Sequence, residues 1–168
     1  MENLDDAALA EAPDPELVAY LTQTTLAVDE TDEIVGRLRE RYPALLGPAS
    51  EDICYATSNR QNAVRAVARD SDVVLVAGSD TSSNSKRLVE VARREGARAY
   101  LVDDETDVDV AWLAGASTIG ITAGASAPEL IVHRLVEALA SLGPVDVEER
   151  TQTTESLRFR LPKEVASE

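Results

Sequence analysis

The chain has 168 residues, 44% of them hydrophobic, and a formal net charge of −15. That apolar content suits a packed core and excludes global disorder, while the negative charge argues against nucleic acid or an anionic membrane as the main partner. A single cysteine excludes an internal disulfide and fits a reducing compartment.

The opening stretch, "MENLDDAALAEAPDP", is acidic and lacks the basic region and apolar core of a signal peptide. No apolar run approaches the roughly 20 residues that span a bilayer, so a cytoplasmic location is expected. Residues 1–15 read as a short helix or a loop. "ELVAYL" (16–21) predicts a buried strand. The polar run "TQTT" then leads into "DETDEIVGRLRERY", which sets Ile34, Val35, Leu38 and Tyr42 on one helical face. "LLGPASED" is turn-rich and marks a candidate domain boundary.

Beyond that boundary a unit recurs: a short apolar strand, a polar loop, then a helix of about a dozen residues. "DVVLVAGS" runs through "DTSSNS" into "KRLVEVARREG"; "ARAYLVDD" runs into "ETDVDVAWLAG"; "STIGIT" runs through "AGASAP" into "ELIVHRLVEALASLG". The strands are continuously apolar and rich in Val and Ile, as parallel strands covered on both faces are. The expected fold class is therefore α/β: an open parallel sheet with helices on both faces, Rossmann-like. "VDVEE" and "SLRFRLP" predict two closing strands, paired as a hairpin or reaching away to pair elsewhere.

In such a sheet ligands bind outside the carboxyl ends of the strands. Four polar loops are expected at or near that edge: residues 22–25, 54–59, 79–85 and 122–126. All are built largely from small hydroxyl, amide or glycine residues, and two run straight into a helix N-terminus, where free N–H groups and the helix dipole favour an anion. A phosphate or diphosphate suits that edge. The same residues also serve as ordinary N-caps and turn formers.

Several specific motifs are absent. "GSDTSSNSK" lacks the second glycine of a P-loop, and "GITAGASAP" holds no G-x-G-x-x-G. "DDETDVD" resembles the start of a calcium loop but lacks the glycine and the closing glutamate, so a solvated helix entrance is expected. His133 lies between Glu129 and Glu137 at helical spacing, opposite Ile131 and Leu135, and reads as a surface histidine. Cys54 reads either as a small buried hydrophobe at a strand end or, given Thr57 and Asn59 nearby, as part of a polar site.

Four blocks, "LTQTTLAVDET", "DICYATSNRQNAVRAVA", "GSDTSSNSKRLVEVA" and "GITAGASAPELIV", resemble in that order the 4-hydroxy-3-methylbut-2-enyl diphosphate reductases, iron–sulfur enzymes that end the non-mevalonate isoprenoid pathway. Their spacing matches as well, and the resemblance extends from "ENLDD" to "LRFRLPKE". It implies three α/β domains around a 4Fe-4S cluster, each giving one cysteine, with one iron left open for the substrate. On the matching motifs, Cys54 is a cluster ligand and Thr24 faces the substrate. Ser82, Ser83, Asn84 and Ser126 bind the diphosphate, and Thr25 and Thr57 occupy neighbouring motif positions. The implied reaction passes two electrons through the cluster to an allylic alcohol, which leaves as water to give isopentenyl and dimethylallyl diphosphate. A ferredoxin- or flavodoxin-type protein is the implied electron donor.

The family places further segments before "ENLDD", including two cluster cysteines, diphosphate-holding histidines and a proton-delivering glutamate; no catalytic residue is therefore assigned here. Residues 1–49 are expected to be a remnant of the family's middle α/β domain, 50–143 its third domain, and 144–168 a carboxy-terminal strand segment. A truncated gene or incomplete sequence is the preferred explanation, over half of a split enzyme or a relic. A Rossmann-like module binding a small phosphorylated ligand is the alternative.

Overall fold

The structure is a computed structural model, which describes residues 4–48 and 55–151, with the side chain of Tyr55 excepted. At its centre is a three-stranded parallel sheet in the order β2-β1-β3, formed by β1 (Val73–Ala77), β2 (Arg98–Val102) and β3 (Ile119–Ala123). Val73 of β1 registers with Arg98 on one side and Ile119 on the other, and Ala77 with Val102 and Ala123. Every residue of β1 is buried, as the continuous apolar run "VVLVA" requires of a central strand.

Alternate residues of β1 face opposite layers. Val74 and Val76 join Val64, Leu88 and Val91 in a core against α3 (Tyr55–Arg69) and α4 (Ser83–Arg94). Val73, Leu75 and Ala77 join Leu135 and Leu139 of α5 (Glu129–Leu142) on the other face. Tyr100 stacks on Trp112 in that second layer, with ring centroids 4.1 Å apart and planes 3° from parallel. The α/β class with helices on both faces is thus as expected.

At the amino-terminal edge of the sheet, Asp72 ties β1 to β3. Its Oδ2 accepts from the N–H groups of Ser117 (2.8 Å) and Thr118 (3.0 Å), and its own N–H donates to the Thr118 carbonyl. Those two N–H bonds, that from Thr118 first, hold the Asp72 carboxyl below the usual carboxylate range.

The preceding segment builds a smaller core of its own. α1 (Leu4–Leu9) and α2 (Val28–Arg41) bury Ala7, Leu38 and Tyr42 together, with Ile34 packed beside them. The helical face predicted from Ile34, Val35, Leu38 and Tyr42 is the one turned inward. No helix among the described residues is long and apolar enough to cross a membrane.

Four local expectations are corrected. "ELVAYL" forms no strand; it makes a single parallel bridge, Ala19 to Leu46, and leaves Leu17 81% and Leu21 85% exposed. An extended apolar run becomes a strand only where a neighbouring backbone offers a ladder, and among the described residues Leu46 alone does so. "ETDVDVAWLAG" forms two 3-10 helices, Glu105–Asp107 and Val110–Leu113, in place of one α-helix. Each begins at its own aspartate cap, Asp104 to Thr106 N–H and Asp109 to Ala111 N–H, and side chains that bond local backbone break a continuous helix. Residues 145–149 form no strand, and "SLRFRLP" lies outside the described residues. Tyr55 onward is helical, so the predicted loop 54–59 is the first turn of α3 as far as it is described.

Candidate functional site

At the carboxyl ends of β1 and β3 the chain must turn sharply, and glycine follows each strand. Gly78 succeeds β1 and Gly124 succeeds β3, with the Gly124 N–H donating to the Ala77 carbonyl at 2.8 Å. Between them sits the hydroxyl of Ser85, from a fully buried residue. A Cβ at Gly78 or at Gly124 would stand only 2.2 Å from Ser85 Oγ, so no larger residue leaves room for that hydroxyl. One serine of α4 thereby seats the loop after β1 against the loop after β3.

The first of these loops carries three of the expected diphosphate ligands. Ser82 is the N-cap of α4: its Oγ accepts from Ser85 N–H at 3.2 Å and from the Ser85 hydroxyl at 3.0 Å. Ser83 and Asn84 form the first helical turn, not the loop the sequence suggested, and their N–H groups have no intrahelical acceptors. The Asn84 side-chain nitrogen is buried and has no hydrogen-bond partner among the described residues. Ser79 and Thr81 pair their hydroxyls within the turn at 3.0 Å. Ser126 is exposed in the turn after Gly124, where Ala127 N–H donates to the Gly124 carbonyl.

The turn bearing Thr24 approaches from the amino-terminal segment. Leu26 N–H donates to the Gln23 carbonyl, Thr24 is exposed, and Thr25 is half-buried. Across an open cleft of about 200 Å³, Gln23, Thr25 and Leu26 face Ser83, Lys86 and Arg87. The loops 22–25, 79–85 and 122–126 therefore adjoin through the start of α4. Thr57 is buried in the first turn of α3. Cys54 lies outside the described residues.

Gln61 was not singled out from the sequence, yet it fixes the Thr24 turn. Its side chain is fully buried; Nε2 donates to the Leu26 carbonyl at 2.8 Å and Oε1 accepts from Val28 N–H at 3.3 Å. The N-cap of α2 is Ala27, which has no side-chain oxygen, so Gln61 of α3 supplies the missing cap from outside the helix. Nothing local marks such a residue, because both its partners are backbone groups of a distant segment.

The remaining candidates carry no site. His133 is 68% exposed with Glu129 at 3.9 Å, a surface histidine as expected. In "DDETDVD" the carboxylates of Asp104, Asp107 and Asp109 are taken up by nearby backbone N–H groups. Among the described residues no group of three or more His, Cys, Asp and Glu could hold a metal ion.

Comparison with known proteins gives this edge a context. A family model described as LytB protein matches residues 2–140. The 4-hydroxy-3-methylbut-2-enyl diphosphate reductase of Stenotrophomonas maltophilia (strain K279a) is 52% identical over 165 residues, 98% of this chain and 52% of its own length. That of Phenylobacterium zucineum (strain HLK1) is 51% identical over 166 residues, 99% of this chain and 53% of its own. The solved structure of the E-1-hydroxy-2-methyl-but-2-enyl-4-diphosphate reductase from Plasmodium falciparum superposes with a TM-score of 0.76 at 34% identity, over 83% of this chain and 44% of that one. The chain spans about half the length of the curated relatives it matches.

Proposed function

Because the chain belongs to the LytB protein family, we propose that it is the carboxy-terminal part of a 4-hydroxy-3-methylbut-2-enyl diphosphate reductase. Residues 1–49 would belong to the middle domain, 50–143 to the third domain and 144–168 to a closing segment. Ser82, Ser83, Asn84 and Ser126 bind the substrate diphosphate, and Thr24 faces the rest of the substrate.

The observation that carries this reading is the first turn of α4. A buried amide nitrogen on Asn84 has no partner among the described residues, in a first helical turn where the Ser83 and Asn84 N–H groups have no intrahelical acceptor, beside the cap hydroxyl of Ser82. An unpaired buried donor is costly, and a bound anion would satisfy several such donors together. The protein's part is then positioning: hydrogen bonds to the diphosphate hold the reacting end of the substrate in place.

The family's 4Fe-4S cluster is not accommodated by these residues alone. Clusters of this kind are held by several thiolates, and the chain has one cysteine. Cys54 would supply one ligand and the others must come from outside these 168 residues, as must the proton-delivering group. The electron donor would be a ferredoxin- or flavodoxin-type protein, and the compartment the cytoplasm.

Complementation tests the proposal. Co-expressed with the amino-terminal half of the Stenotrophomonas maltophilia relative, the chain should restore reduction of the substrate, and Cys54→Ala should abolish it. Folded, associated halves with no reductase activity would overturn the reading. A second reading, a module that binds a small phosphorylated ligand without redox chemistry, is favoured by the concentration of the α4 donors in this chain beside a single cysteine. It predicts that diphosphate affinity is untouched by Cys54→Ala.

A further inference from the structure

Ser85 lies one position beyond Ser82, Ser83 and Asn84, the cap and first α4 residues assigned to the diphosphate, and its own hydroxyl is sealed away. It fills the slot between Gly78 and Gly124 and is 0% exposed, so it cannot itself meet a ligand. Both of its donors point to one atom: its N–H and its O–H each bond Ser82 Oγ, at 3.2 and 3.0 Å.

A serine oxygen offers two lone pairs and one hydrogen. With both lone pairs of Ser82 occupied by Ser85, only the Ser82 proton remains to be shared. An N-cap serine usually accepts one bond from its helix and keeps a lone pair free, which an anion would repel. Here the second bond from Ser85 removes that alternative.

We infer that Ser85 is a positioning residue, which fixes Ser82 as a hydrogen-bond donor to the substrate diphosphate and seats the loop bearing Ser126 beside it. The inference rests on the diphosphate reading given above. It also accounts for the two glycines: a side chain at position 78 or 124 would displace the Ser85 hydroxyl and free Ser82 to turn its lone pair outward.

A double-mutant cycle on the full chain tests this. Inorganic diphosphate is titrated by calorimetry into the unsubstituted chain, Ser85→Ala, Ser82→Ala and the double variant, with thermal melting of each. Ser85→Ala should weaken binding about tenfold, the scale of one hydrogen bond to a charged group, while the protein stays folded. Ser82→Ala should weaken it similarly, and the double variant should bind no more weakly than Ser82→Ala alone. Additive losses would show that Ser85 acts only on the general structure and would overturn the inference. So would unchanged affinity in Ser85→Ala with Ser82→Ala impaired, which leaves the diphosphate reading standing. No binding by the unsubstituted chain would overturn the inference, whereas the reductase reading is tested separately by the complementation described above. Should Ser85→Ala unfold, Ser85→Cys fills the same slot with a weaker donor; a smaller loss of affinity is expected, and unchanged affinity again overturns the inference.

Discussion

Gln61 and Asp72 show how single side chains join segments that are far apart in sequence. Gln61→Met roughly keeps the length of the side chain but leaves the Leu26 carbonyl and the Val28 N–H without their partner. Leaving such groups unsatisfied costs about 1–3 kcal/mol, so urea unfolding should show a loss of that size, with faster hydrogen exchange at Val28. For Asp72 the sign follows from which form is bonded. Its folded carboxyl is held low by the Thr118 and Ser117 N–H groups, so its contribution is present above the unfolded carboxyl value, about 3.9, and is lost as pH falls through the lower folded value. Asp72→Asn should melt at a lower temperature near neutrality and show a shallower decline below about pH 4 than the unsubstituted chain. Neither residue stands out in the sequence. Ser82, Ser83, Asn84 and Ser126 did, because small polar residues between an apolar strand and a helix have a known place in this architecture.

The elements that were legible are those whose pattern is decided locally. "VVLVA" could be read as a central strand because five successive apolar residues leave no solvent face, and α2 because one helical stripe carries its apolar side chains. Leu75 in β1 is 0% exposed, so Leu75→Ala should cost about 2–5 kcal/mol, the range for emptying a packed leucine site, with a matching fall in the urea midpoint. "ELVAYL" carries an equally apolar pattern and failed, since strand formation depends on a partner that no pattern within the segment specifies. The stretch 105–115 failed for the opposite reason: its aspartates offered the backbone better local bonds than a continuous helix. Asp104 illustrates this, its carboxyl held low chiefly by the Thr106 hydroxyl and then by the Thr106 N–H.

A polar seam joins the smaller core of the amino-terminal segment to the two core layers that flank the sheet. Besides Gln61, the seam consists of Asp29 with Arg65 at 2.8 Å and of Glu30 with Arg87 and Arg94. Partly exposed pairs of this kind contribute little each; they set the placement of α2 against α3 and α4 more than they add stability. That placement brings the Thr24 turn to the start of α4. On the proposed reading, the cluster is a question of where its other ligands come from. A four-iron cluster on one thiolate would leave its other irons without protein ligands, and among the described residues no group of three or more His, Cys, Asp and Glu could hold a metal ion. Anaerobic reconstitution of the isolated chain should yield well under about four irons per chain, with no stable thiolate-to-iron absorption band. The same procedure on the chain joined by the amino-terminal half of a relative should give both. Full loading of a species with the mass of a single chain would sink the view that the remaining ligands come from elsewhere. A loaded species with the mass of several copies would instead mean that Cys54 residues from different chains share one cluster.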